Sequence, residues 1–305
     1  MTTRSRFGRR STTVAPPSRE DSVAAGRPSL ATTLLFVAFL VYFIAPLVWL
    51  VISATKSNAG LFSSFGFGLA DGEFQLVENI QAVFARDDGI FTLWMRNTLL
   101  YASLGAAGAA VVSTLAAYAF AIFKFHGRNV LAILIIATIM VPNTALAVPL
   151  FKIMRDIGVI NTPLAMILPS MVSPFGVYLI WRYIDQAFPR ELLDAARVDG
   201  ASELRTLRSI VLPTITPAVA TVFLFVFVAT WNNFLLPLLV LTDTQLQPLT
   251  VGLAAWNAQS VNPINVEPQY TQVITAALIS VIPLVLAFFV FQRYLRAGLT
   301  AGAGK

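Results

Sequence analysis

Apolar residues in this chain gather into six long runs, Leu30–Ile52, Trp94–Phe123, Val130–Phe151, Pro163–Tyr183, Pro213–Thr242 and Tyr270–Phe291, with polar residues confined to the intervals. Runs of about 20 apolar residues match the roughly 30 Å of hydrocarbon that a helix must cross in a bilayer. Only helices and closed barrels satisfy their own backbone in lipid. A barrel strand alternates apolar and polar positions over about ten residues, whereas Leu131–Met140 is apolar on every side. The pattern predicts an all-α polytopic membrane protein with six transmembrane helices.

Composition agrees. The 305 residues are 57% hydrophobic and 12% charged, with a mean hydropathy of +0.74; soluble domains carry about 25% charged residues. There is no cysteine and a single histidine, His126, which excludes disulfides, thiolate catalysis and cysteine-bound metal, and gives a histidine metal site no second ligand. No catalytic or metal site is expected, and no set of nucleophile, base and metal ligands converges.

The 21 lysines and arginines are divided unequally. One side of the membrane collects Arg4, Arg6, Arg9, Arg10, Arg19, Arg27, Lys124, Arg128, Arg182, Arg190, Arg197, Arg205, Arg208, Arg293, Arg296 and Lys305; the other holds only Lys56, Arg86, Arg96, Lys152 and Arg155. Positive residues in short loops stay on the cytoplasmic side, so both termini are expected there. The net charge of +6 is then a topology signal, and no nucleic-acid partner is expected. Residues 1–29 are expected to be a disordered cytoplasmic tail, with an organelle transit peptide as the alternative for so Arg- and Ser-rich a stretch. Residues 30–293 are the transmembrane domain and 294–305 a cytoplasmic C-terminal tail. Two outer segments, 53–93 and 243–269, are long enough to touch another protein; the second carries Trp256, Asn257, Asn262 and Asn265.

The inner loop 184–212 is organised where the other inner loops are minimal. Pro189 suits a helix start, Glu191 and Asp194 favour its positive end, and Ala195 and Ala196 keep the helix thin. Asp199-Gly200 breaks it. Ser202 caps a second helix on which Leu204, Leu207 and Val211 share a stripe. Pattern alone leaves two readings: a hairpin that docks in a partner's groove, or an amphipathic hairpin lying against lipid headgroups.

The order Asp194-Ala-Ala, Gly200, Ile210-x-Leu-Pro213 resembles the cytoplasmic loop of permease subunits in binding-protein-dependent ABC importers, where the pattern is Glu-Ala-Ala, Gly, Ile-x-Leu-Pro. Tyr118-Ala-Phe120, Phe125-x-Gly-Arg128, Val141-Pro142, Gly158-x-x-Asn161-Thr162 and Trp231-Asn232-Asn233-Phe234 are similar to further segments of the carbohydrate, MalG-like branch. Two departures stand out: Asp194 replaces the usual glutamate, one methylene shorter, and Asn233 replaces a frequent acid, so no ionic role carries over to it. The resemblance implies a type I ABC importer-like permease fold and a non-enzymatic subunit for uptake of a sugar, oligosaccharide or sugar-phosphate. It also implies that Glu191, Asp194, Ala195, Ala196, Asp199 and Gly200 dock on a cytoplasmic ATPase dimer. ATP and Mg belong to that partner, since this chain has no phosphate-binding Gly-x-x-x-x-Gly-Lys-Ser/Thr loop and needs no cofactor itself. A second permease subunit, an external solute-binding protein and the bilayer, a bacterial-type plasma (inner) membrane, complete the implied partners.

Span interiors are almost free of charge. Ion-coupled secondary transporters keep carboxylates or histidines there, so their absence weighs against that alternative class; a structural membrane subunit is the other. Trp231, Asn232 and Asn233 form the most polar interior cluster, read either as part of a sugar path or as a helix–helix hydrogen bond worth about 0.6 kcal/mol. Asn97, Asn143 and Tyr178 are further path candidates. Pro46, Pro142, Pro174, Pro237 and Pro283 are expected to kink their helices, and Ala102, Gly105, Ala106, Gly108 and Ala109 to form a face for close packing.

Overall fold

The computed structural model describes residues 29–68, 74–261 and 269–300, with side chains as far as Tyr294. The expected N-terminal tail up to residue 28, residues 301–305, and Asn262 and Asn265 of the outer loop lie outside the described residues. The chain divides into two compact units, residues 1–47 and 48–305. In the first, the described part is helical from Leu30; this helix, α1, spans Leu30–Ala54 and carries Pro46 without a break. The second unit holds the rest.

Four of its helices make the packed centre: α4 (Ile90–Ile122), α8 (Pro174–Ala187), α11 (Leu212–Trp231) and α14 (Tyr270–Thr300). Central among these is α4, packed against α11, α8 and α7 (Leu164–Ser170), while α14 packs on α11 and on α3 (Leu76–Ala85). Its 33 residues make α4 about 50 Å long. The small-residue face does what small residues permit in lipid, a close approach of backbones. A Cβ on Gly105 would lie 2.6 Å from the Ser170 Cβ, and one on Gly108 would lie 2.4 Å from the Met171 side chain. Ala102, Ala106 and Ala109 are fully buried.

Among the described residues, five helical stretches are long and apolar enough to cross a membrane: Leu30–Ala54, Leu76–Ile122, Leu164–Ala187, Glu203–Trp231 and Tyr270–Tyr294. The third expected span, Val130–Phe151, differs. It is split into α5 (Arg128–Ile139) and α6 (Ala147–Asp156) around a turn at residues 140–146, because Pro142 has no N–H to continue the ladder and pushes Val141 out of the helical region. The 12 residues of α5 span only about 18 Å. Pro174 likewise divides the fourth expected span: Ser173 caps a fresh helix, its Oγ accepting from Gly176 N at 3.0 Å, and Pro174 takes the first position. The fifth stops at Trp231, earlier than the expected Thr242. There the Asn232 amide bonds back to the Val228 carbonyl at 2.8 Å, and a short helix α12 (Leu235–Val240) follows. The Asn233 carbonyl, in the gap between α11 and α12, accepts from the Thr250 hydroxyl at 2.7 Å. Of the expected kink prolines, Pro283, like Pro46, sits within an unbroken helix.

Among the described residues of segment 53–93, Lys56 is fully buried. Its ammonium donates to the Phe65 carbonyl at 2.9 Å and its own carbonyl accepts from Asn79 at 2.9 Å, tying α2 (Asn58–Ser63) and α3 together.

Candidate docking hairpin and outer strap

Loop 184–212 forms a hairpin at one end of the helices. Phe188 is buried at the end of α8, Pro189 stands just before α9 (Arg190–Val198) in extended conformation, and Glu191 lies in the first turn of α9 and Arg197 in its last, each at the helix end that favours its charge. Asp185 of α8 pairs with Arg182 at 3.4 Å and with Arg190 at 3.7 Å, although exposed pairs of this kind contribute at most about 1 kcal/mol.

The end of α9 is a Schellman cap: the Ala201 N–H bonds the Ala196 carbonyl at 2.9 Å and the Gly200 N–H bonds the Arg197 carbonyl at 3.1 Å. That geometry needs a left-handed residue, and Gly200 has φ +73° with no heavy atom within 4 Å of where a Cβ would stand. Backbone conformation, not crowding, demands this glycine. Ser202 then caps α10 (Glu203–Thr206), its Oγ accepting from Arg205 N at 3.4 Å, and the helix runs on through a π turn, Leu207–Val211, into α11.

One side of α9 is anchored and the other presented. Leu193 packs in a core cluster with Tyr118 and Ala121 of α4, Ile180 and Ile184 of α8, and Leu207, Val211 and Ile215; Ala196 is buried too. Glu191, Asp194, Ala195, Asp199 and Gly200 are exposed, as are Leu192 and, at 87%, Val198. Of the expected second-helix stripe, Leu207 and Val211 are buried but Leu204 is 71% exposed. The π turn closes over five residues, with Leu212 N on the Leu207 carbonyl, and takes the preceding turn out of register with the stripe.

Two residues outside the sequence-derived site meet here. Glu203 accepts from the Tyr118 hydroxyl at 2.5 Å through Oε2 and from Arg197 at 3.1 and 3.3 Å through Oε1. Tyr118 had a signal, the Tyr118-Ala-Phe120 segment; Glu203 had none beyond its place after Ser202.

At the opposite end of α4 a strap, residues 241–249, leads into α13 (Leu249–Val261). Trp94, Asn97, Thr98 and Tyr101 lie on one face of α4 and hold it. Trp94 donates to the Thr244 carbonyl at 2.8 Å, Asn97 to those of Gln245 and Gln247 at 2.7 and 3.2 Å, and Tyr101 to that of Leu246 at 2.8 Å; Thr98 accepts from Leu249 N at 2.8 Å. Asn161, left-handed at φ 57°, accepts from the N–H groups of Thr242 and Asp243 at 3.0 and 2.9 Å. Of the outer-loop residues, Trp256 is 1% exposed, bonded to Asp87 at 2.8 Å and covered by the Arg86 guanidinium at 4.4 Å; Asn257 is exposed. The path candidates are scattered. Trp231 is buried against Phe227, Asn233 is half-buried and Asn232 exposed beside it, Asn97 is engaged with the strap, Asn143 is exposed in the α5–α6 turn, and Tyr178 is half-buried on α8.

Apolar helices threaded by prolines, one anchored helix exposed between two spans and a clamped strap at the far end define a multi-pass membrane permease. The chain belongs to the family described as binding-protein-dependent transport system inner membrane component, which matches residues 109–300. It is 31% identical over 270 residues to the arabinooligosaccharides transport system permease protein AraQ of Halalkalibacterium halodurans, covering 88% of this chain and 93% of that one. It is 33% identical over 269 residues to the lactose transport system permease protein LacG of Rhizobium radiobacter, with the same 88% and 93% coverage. In fold it is similar to a chain of a bacterial ABC transporter involved in the import of the acidic polysaccharide alginate, with a TM-score of 0.73 at 22% identity, covering 87% of this chain and 95% of that one. The resemblance to MalG-like importer permeases and the all-α type I importer-like fold are thereby borne out.

Proposed function

We propose that this subunit forms half of the path of an ATP-driven importer for a sugar or oligosaccharide, and that α9 is the element on which a cytoplasmic ATPase subunit acts. The observation that carries the reading is the two-sidedness of α9. Its presented side combines Glu191, Asp194 and Ala195 with the exposed apolar Leu192 and Val198, while Leu193 keys it into the cluster shared by α4, α8 and α11 and Ala196 is buried beside it. Large apolar residues exposed next to charges on a loop suit a protein groove, and a helix keyed into three others passes a push to the bundle as rigid-body motion. The names of the relatives, which speak of arabinooligosaccharides and lactose, support the substrate class.

In this reading Glu191, Asp194, Ala195, Asp199 and Gly200 meet the ATPase groove, and Ala196 keeps α9 close to the bundle. ATP and Mg act in the partner, both termini and the 184–212 hairpin are cytoplasmic, and the strap and α13 face an external solute-binding protein. Of the path candidates, Trp231 and Asn233 are best placed, beside the broken end of α11; a sugar ring stacks on an indole and its hydroxyls bond amides. The test is isolation of the assembled complex from its native membrane. An ATPase subunit should co-elute and its hydrolysis be stimulated by the complete assembly, while Asp194→Lys should abolish co-elution and leave this chain membrane-inserted. Undiminished co-elution of that variant would contradict the docking assignment.

A further inference from the structure

The hairpin is joined to the helices by a second connection that the docking reading does not use. Glu203 gives one carboxylate oxygen to each of two helices: Oε2 to the buried Tyr118 of α4, at 2.5 Å, and Oε1 to Arg197 in the last turn of α9, at 3.1 and 3.3 Å. Hydrogen bonds to an ionised partner are shorter and about twice as strong as neutral ones. Immediately after Glu203 its own helix enters the Leu207–Val211 π turn, a wide turn of the kind found where helices yield and function. A displacement of α9 passed along the backbone alone must cross that turn before it reaches α11. The Glu203 bonds lie ahead of the turn and lead to a different helix, α4, the one with the most extensive packing in the unit.

We propose that Glu203 is a positioning residue that ties α9 to α4, so that these two and the first turn of α10 move as one body. Tyr118 and Arg197 are its anchors. This rests on the docking role of α9 proposed above, and it adds which helix receives the push directly.

The chain contains no cysteine, so Arg190→Cys on α9 and Leu115→Cys on α4, both exposed positions, accept a pair of spin labels in the full complex once partner cysteines are replaced. With Glu203 and Tyr118 intact, the distance between the labels should be the same without nucleotide and in the state trapped by ATP and vanadate. Glu203→Gln or Tyr118→Phe should let it shift on trapping by on the order of 2 Å, the size of helix shifts in switching proteins, with the amount of assembled complex unchanged. The double variant should shift no further than either single one, as expected of two residues acting through one bond. A label distance that changes in the parent complex, or that stays fixed in the variants, would overturn the bridge and leave docking standing. A parent complex that assembles without any ATPase subunit would overturn docking, and the bridge with it.

Discussion

Two glycines show how differently the same residue type is required. At Gly252 a Cβ would sit 2.2 Å from the Trp94 ring, and Trp94 cannot yield because its indole N–H is held by the strap and its ring lies 5.0 Å from that of Trp256. Gly252→Ala is therefore an overpacking change, expected to cost about 1–3 kcal/mol and to lower the unfolding temperature of the detergent-solubilised chain. Gly200 has open space but a left-handed backbone, so Gly200→Ala should cost only about 1–2 kcal/mol, and Gly200→Asn less, since asparagine tolerates that region. The same thermal measurement distinguishes them: equal losses for Ala and Asn at position 200 would refute the conformational account. Asp194 and Glu191, by contrast, have no packing role to lose, being exposed, and belong to recognition in the reading proposed here.

Among elements, the break between α11 and α12 is the most instructive. A helix interrupted in lipid must find partners for the groups it frees. The Asn233 carbonyl, left in the gap between α11 and α12, finds the Thr250 hydroxyl at the start of α13. Thr250→Val should leave that carbonyl unbonded and cost about 1–3 kcal/mol. Thermal denaturation reads the loss, and a Thr250→Val variant as stable as the parent would show that the bond plays no such part. The π turn at Leu207–Val211 is the other irregular element, and it also stands next to an exposed hairpin.

For the molecule as a whole, the arrangement separates two ends: the exposed helix α9 with its acidic residues at one, a strap clamped by Trp94, Asn97, Tyr101 and Asn161 at the other. Sidedness can be tested because cysteine is absent. In intact cells a membrane-impermeant maleimide should label Gln245→Cys and spare Arg190→Cys, and inverted vesicles should give the reverse. Labelling of both from one side would overturn the assigned orientation.

The run of apolar residues by itself determined that the chain crosses a bilayer as helices, because a backbone in hydrocarbon has no other way to satisfy itself. The hairpin was equally legible, since Gly200, Ser202 and the Ala pair encode caps and a thin helix locally. Where the long runs break was written only in part: Pro142 and Pro174 break theirs while Pro46 and Pro283 do not, since a proline interrupts or is tolerated according to what its neighbours offer the freed carbonyl. Only the tertiary structure decided that Asn97 serves the strap and that Glu203 meets Tyr118, 85 residues away. Contacts between residues so distant in sequence leave no period or spacing to read; they exist only once helices have packed.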